Sequence, residues 1–241
     1  MSVQYLIENI NNPKEIILKA DYIFFDPSLW PDAHYTLKNL TLNYELIGLN
    51  IFEDKNITPT LVSLKGINNT LKEELWEEIG SYTFMDTASQ FDQMSMFQNY
   101  IVSKKSIYNM KIFLAEMMQL KQKGKTYLFR MFDSRAMLHC SVLFNFNKEN
   151  DFTQNERFKA WQSHVEEWFI CLSGQYYKIK CPYKFSNYIN FQKINFEEMM
   201  QITENLRLAM MPNPEAEHTE RSSIMLLEEL LHSEYKKILE Q

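Results

Sequence analysis

Lys125-Thr126-Tyr127-Leu128-Phe129-Arg130-Met131-Phe132-Asp133-Ser134-Arg135 is an apolar run that stops abruptly in a charged group. Tyr127, Phe129 and Met131 alternate with Thr126, Leu128 and Arg130, and this two-residue period predicts a strand from Lys125 to Phe132. On that period Arg130 leaves the face opposite the aromatics, toward Asp133 and Arg135. Each guanidinium offers a planar fork, so a carboxylate held between Arg130 and Arg135 would pin the chain where the strand turns. A structural ion-pair cluster explains the group more simply than a catalytic one, because such networks occur in ordinary folds.

Upstream, extended runs alternate with helical patterns. Strands are expected at Tyr22 to Phe25, Leu46 to Phe52, Thr60 to Leu64 and Met96 to Val102, with a helix after Pro31. Thr70-Leu71-Lys72-Glu73 reads as a capping box opening a helix with Leu71, Leu75 and Ile79 on one face, closing at Gly80. Ser103 is placed to cap a further helix, with Ile107, Met110, Leu114 and Met117 at spacings of three and four, ending near Gly124. Strands interleaved with helices predict an α/β lobe over 1–147, a mixed β-sheet with packed helices.

The polar connector Asn147-Lys148-Glu149-Asn150-Asp151 marks a lobe boundary, and 148–241 reads as mainly α-helical. Thr153-Gln154-Asn155-Glu156 is a second capping box, and Phe158, Trp161, Val165, Trp168 and Leu172 form an apolar stripe behind it. A short strand at Tyr176 to Lys180 is expected next. Two more helices follow, one with Met199, Ile202, Leu206 and Ala209 on one side, the other with Ile224, Leu227, Leu231 and Ile238.

With 241 residues, 45% of them hydrophobic, the chain can bury one large core or two modest ones. Its net charge of -6, without a basic block, argues against a nucleic-acid surface. No apolar run approaches the roughly 20 residues that span a bilayer, and the N-terminus lacks an export signal, so a cytoplasmic protein is expected. Cys140, Cys171 and Cys181 have no metal-binding spacing, and reduced, mostly buried thiols are expected.

No catalytic set emerges, and neither a cofactor, a metal nor a small-molecule substrate is expected. Lys123-Gly124-Lys125-Thr126 imitates the end of a phosphate-binding loop, but the Gly required five residues before Gly124 is Gln119 and a strand follows instead of a helix. His164 has no second His one helical turn away, and His139 and Cys140 are adjacent on an extended segment, so they point apart. The 14 Met include Met117-Met118, Met199-Met200 and Met210-Met211; such side chains can repack against varied partners, although gap filling in a core is their commoner use.

The stretch Leu128 to Met137, preceded by a helix starting after Ser103, resembles the family of type VI secretion effector chaperones, or adaptors, which typically read Phe-Arg-Phe-Tyr-Asp-Pro-Arg here. Tyr22-Ile23-Phe24-Phe25-Asp26 is similar to that family's first strand and Asp, Ile51-Phe52-Glu53-Asp54 to its second strand, and Thr58-Pro59-Thr60-Leu61-Val62 to its third. Val102-Ser103 is similar to its strand-to-helix junction. Ser134 stands where the family has Pro, Asp26-Pro27-Ser28 where it has a small-residue turn, and Asp54 where it has Gly. The resemblance implies Asp26, Arg130, Asp133 and Arg135 as family-motif residues. It also implies a non-enzymatic cytoplasmic protein that binds a toxic effector and helps load it onto the spike protein of a bacterial secretion apparatus. Within that expectation the lobe after Asn147 supplies much of the cargo-specific surface, with Trp161, Trp168, Met199 and Met210 as candidate anchors. The alternative is an immunity-type protein that blocks a toxin, for which an acidic balance suits a basic target.

Overall fold

Tyr22-Ile23-Phe24-Phe25 forms a strand in which all four residues are buried, and a strand with no polar face belongs in the middle of a covered sheet. The computed structural model describes residues 7–30, 32–81, 98–122, 125–134, 136–137, 160–172 and 175–179. In chain order the strands are β1 (Ile7–Asn9), β2 (Tyr22–Phe25), β3 (Tyr44–Leu46), β4 (Thr60–Ser63), β5 (Gln98–Val102), β6 (Gln119–Gln122), β7 (Lys125–Leu128), β8 (Glu167–Leu172) and β9 (Gln175–Ile179). The helices are α1 (Lys14–Lys19), α2 (Ala33–Asn39), α3 (Asn69–Ser81) and α4 (Ile107–Met117).

Seven strands form one sheet in the order β1-β9-β8-β5-β2-β4-β3, while β6 and β7 form a separate hairpin. Every described pairing is antiparallel, so the sheet is not the mixed one expected. β2 pairs Phe24 with Leu61 of β4 on one side and with Asn99 of β5 on the other.

Alternation along the central strands divides the core in two. Tyr22, Phe24, Leu61, Ile101, Trp168 and Ile170 face one side, packed with Met110, Phe113 and Leu114 of α4 and with Met131 and Phe132. Ile23, Phe25, Val62, Tyr100, Phe169 and Cys171 face the other, packed with Ile16 and Ile17 of α1, Leu37 of α2, and Leu75 and Ile79 of α3. The result is a three-layer arrangement with helices on both faces of an antiparallel sheet.

Several local expectations are corrected. The Asn68 side chain accepts from Leu71 N at 2.9 Å, so Asn68, not Thr70, caps α3. Ser106 caps α4 by accepting from Asn109 N, while Ser103, buried, accepts from Lys105 N in a turn and donates its own N–H to Asp21. α4 ends at Met117 instead of near Gly124, because the chain turns back into the β6–β7 hairpin. Lys125 and Thr126, the end of the imitation phosphate loop, open β7 instead of a helix, while Lys123 and Gly124 lie outside the described residues.

The strand expected through Phe52 stops at Leu46; Gly48 follows with φ +76, a left-handed conformation natural to glycine, and Asp54 then caps a 3-10 turn over Lys55–Ile57. The helix expected through Leu172 ends early. Residues 160–164 are helical, and β8 begins at Glu167. Thus two strands from beyond residue 147, β8 and β9, lie in the same sheet as β2. Tyr176 to Ile179 is a strand, as expected. Residues 180–241, with the expected helices there, lie outside the described residues, as do Arg135, His139, Cys140, Cys181, Met199 and Met210.

Candidate functional site

The strand-end motif sits at one end of the sheet, where β2 and β4 meet the turn after β7. β7 stops at Leu128; Phe129 N donates to Met118 O at 2.7 Å, and Met131 N and Asp133 N donate to Phe129 O and Arg130 O at 2.9 and 2.8 Å. These short-range bonds curl the chain so that Phe132 enters the core, edge-on to Phe24 at 6.3 Å and to Phe52 at 6.2 Å. Arg130, beyond the strand end, no longer follows the alternation assumed for it.

Asp26 and Arg130 come together here from distant parts of the chain. Asp26 caps the 3-10 turn Pro27–Leu29, its Oδ1 accepting from Ser28 N at 2.9 Å and Ser28 Oγ at 2.6 Å. Its other oxygen lies 3.7 Å from Arg130 Nη2. The Arg130 side chain is 51% exposed and its guanidinium lies 5.2 Å from the Phe132 ring centroid. This is a long ion pair on a half-exposed arginine. Asp133 is buried, and its carbonyl accepts from Met137 N at 3.0 Å.

Asn99 ties this turn to the sheet. Its buried amide donates to Phe132 O at 3.0 Å and Phe24 O at 3.3 Å, and its side-chain oxygen accepts from Trp168 Nε1 at 2.8 Å. One side chain thereby links β2, β5, β8 and the motif turn. A polar residue immediately before the strand-like Tyr100-Ile101-Val102 run, within the strand expected from Met96, was the available signal for it.

The two candidate anchors that fall within the described residues are packed inside. Trp161 and Trp168 are 3% and 1% exposed and stack on each other at 4.7 Å, with Phe113 edge-on to Trp161 at 6.2 Å. His164 stacks on Phe113 at 4.6 Å and its Nδ1 lies 2.8 Å from both Ala160 O and Ser163 Oγ, partners that orient a ring in a structural position. Met117 and Met118 are likewise buried.

On the opposite face, Lys72 is buried and its ammonium donates to Leu18 O and Ala20 O, both at 2.9 Å, at the C-terminus of α1. A cation there meets the negative end of the helix dipole. Burial pushes the Lys72 pKa down, and Asp21 opposes that shift. Lys72 shares the helical spacing of Leu75 and Ile79, which marked it in the sequence as facing inward.

Among the described residues no group of three or more His, Cys, Asp or Glu is arranged to hold a metal ion, and no helix is long and apolar enough to cross a membrane. The surface does carry large apolar side chains: Tyr35 is 69% exposed and Tyr108 65%, with Leu49, Ile57 and Leu128 between 41% and 48%. No protein family, curated protein or solved structure matches this chain.

Proposed function

We propose that this protein is a non-catalytic bacterial adaptor that binds a type VI secretion effector in the cytoplasm and helps load it onto the spike protein. The observation that carries the reading is the pairing of Asp26 with Arg130 at 3.7 Å, since both belong to the ordered set of segments resembling the adaptor family. The motif turn is held by backbone and Asn99 hydrogen bonds to a sheet covered on both faces, an arrangement suited to presenting a fixed surface. Exposed Tyr35 and Tyr108 are of the residue type that supplies contact area with little side-chain entropy to lose.

The deciding experiment is capture of the tagged full chain from its native host, followed by reconstitution with purified components. An adaptor brings down both an effector and a spike protein and bridges them. Binding to a toxin domain alone, with loss of its toxicity, selects the immunity-type alternative that the net charge of -6 would suit. Turnover of a small substrate by the purified chain overturns both.

A further inference from the structure

We infer that this protein pairs with a second copy of itself through the outer face of α4, the two helices running antiparallel about a two-fold axis near Ile112. Only Asn109, Lys111 and Glu116 are polar in α4, a composition that belongs to a helix covered on every side. The fold covers one side. Met110, Phe113, Leu114 and Met117 are buried in the core, while Tyr108 is 65% and Ile112 41% exposed. Tyr108, Ile112 and the half-buried Ala115 follow one another at spacings of four and three, so they form a second apolar stripe on the flank turned away from the core.

Charges at the two ends of this stripe point to what covers it. Lys105 stands just before the Ser106 cap and exposed Glu116 in the last turn, and among the described residues neither is ion-paired. Each has the wrong sign for its own helix, whose N-terminal end favours an anion and whose C-terminal end favours a cation. A neighbouring α4 of opposite direction reverses the mismatch. It brings Lys105 of each copy to the C-terminal end of the other, beside Glu116, and the contact is made twice because a two-fold interface sets the same patch against itself. A parallel arrangement would instead set lysine beside lysine and glutamate beside glutamate.

The spacing along α4 suits this pairing. At a rise of about 1.5 Å per residue, Tyr108 lies about 6 Å from Ile112 toward one end, with Ala115 and Glu116 about 4.5 and 6 Å toward the other. Ile112 therefore meets Ile112 at the axis, and the Tyr108 ring of each copy lies across the small Ala115 of the other with its hydroxyl near Glu116. Lys111 takes no part, since its ammonium already donates to Glu45 at 2.7 Å.

Sedimentation equilibrium of the full chain tests the proposal. One helix from each copy makes a contact at the small end of specific interfaces, so a monomer–dimer equilibrium with Kd on the order of 10 μM is expected. Ile112→Asp, at an exposed position, sets two carboxylates together on the axis and should raise Kd at least about tenfold with the circular dichroism spectrum unchanged. Lys105→Glu and Glu116→Lys should each weaken pairing by about tenfold, and both changes in one chain should restore it, because the exchanged charges again meet across the axis. Both changes also suit the helix dipole, so α4 is kept in these variants. A chain still monomeric at about 100 μM, a dimer indifferent to Ile112→Asp, or a double variant that stays weakened overturns the proposal. The assay contains neither effector nor spike protein, so its failure leaves the adaptor reading intact, and failed capture of those proteins leaves this result intact.

Discussion

Asn99 Nδ2 and the Phe132 carbonyl oxygen are 3.0 Å apart, and this contact joins the motif turn to the centre of the sheet. The same side chain takes the Trp168 indole proton. Asn99→Leu leaves a buried carbonyl and a buried indole N–H without their partner, a loss of about 2–4 kcal/mol readable as a lower midpoint in urea unfolding. In a double-mutant cycle with Trp168→Phe the two losses should fall short of additivity by at least ~0.5 kcal/mol. Strict additivity would mean that the two side chains act independently.

Arg130 calls for the opposite expectation. Its side chain is 51% exposed and its ion pair with Asp26 is 3.7 Å long, so Arg130→Ala should cost less than about 1 kcal/mol of stability. Asp133, buried in the same turn, should cost more when changed to Ala. Matched denaturation curves for the two variants test this, and a larger loss for Arg130→Ala would contradict the geometry. On the adaptor reading proposed above, cargo loading that fails in Asp133→Ala with stability unchanged would show that the buried carboxylate serves binding instead of the fold.

Lys72 joins α3 to the end of α1. Lys72→Met keeps most of the aliphatic stem but removes both bonds to Leu18 O and Ala20 O, and the variant should be less stable at neutral pH by about 1–3 kcal/mol. The wild-type lysine titrates below its ordinary range because burial disfavours the charged form. Its protonated form is thus penalised by folding, and its contribution to stability improves as pH rises through the lowered value toward 10.5. Lys72→Met should lack that alkaline rise in a stability-against-pH profile.

Glu167 predicts acid sensitivity. Burial acts to raise its pKa, but hydrogen bonds and charge from Lys19 and Lys178 together hold it below 4.5. A carboxylate depressed in the folded state contributes stability that is present above its unfolded value and is lost as pH falls through the folded one. Glu167→Gln should therefore flatten the stability profile below about pH 4.5 while changing it little as pH varies above that. Thermal unfolding from pH 3 to 7 makes the comparison.

Trp161 separates a core role from a surface one. Trp161→Ala, at 3% exposure and stacked on Trp168, should lower stability by about 3–5 kcal/mol. A variant of wild-type stability would show that this indole is not packed as described.

Much of the fold was legible where one period dominates. Tyr22 to Phe25, Thr60 to Ser63 and the α3 face of Leu75 and Ile79 matched expectation because hydrophobic spacing and turn signals agreed there. The stripe of Trp161, Val165 and Trp168 misled because all three side chains enter one core, two from the helical stretch 160–164 and its end, one from β8. Trp168, Phe169, Ile170 and Cys171 are all buried, so β8 shows no alternation to distinguish it from a buried helix. The true caps Asn68 and Ser106 lay within three residues of the expected ones, where several short polar side chains compete. For the candidate site, the motif residues were visible as a charged interruption, but the Asp26–Arg130 pairing depends on a turn that only the packing of Phe132 reveals.

Among the described residues β1 pairs with β9 alone, and β8 separates β9 from β5. Ile7 pairs with Ile179, so closing this edge of the sheet is a long-range event that follows synthesis of both strands. A chain halted between β8 and β9 would leave β1 and the outer edge of β8 without the partners that the folded sheet gives them, two exposed strand edges at once.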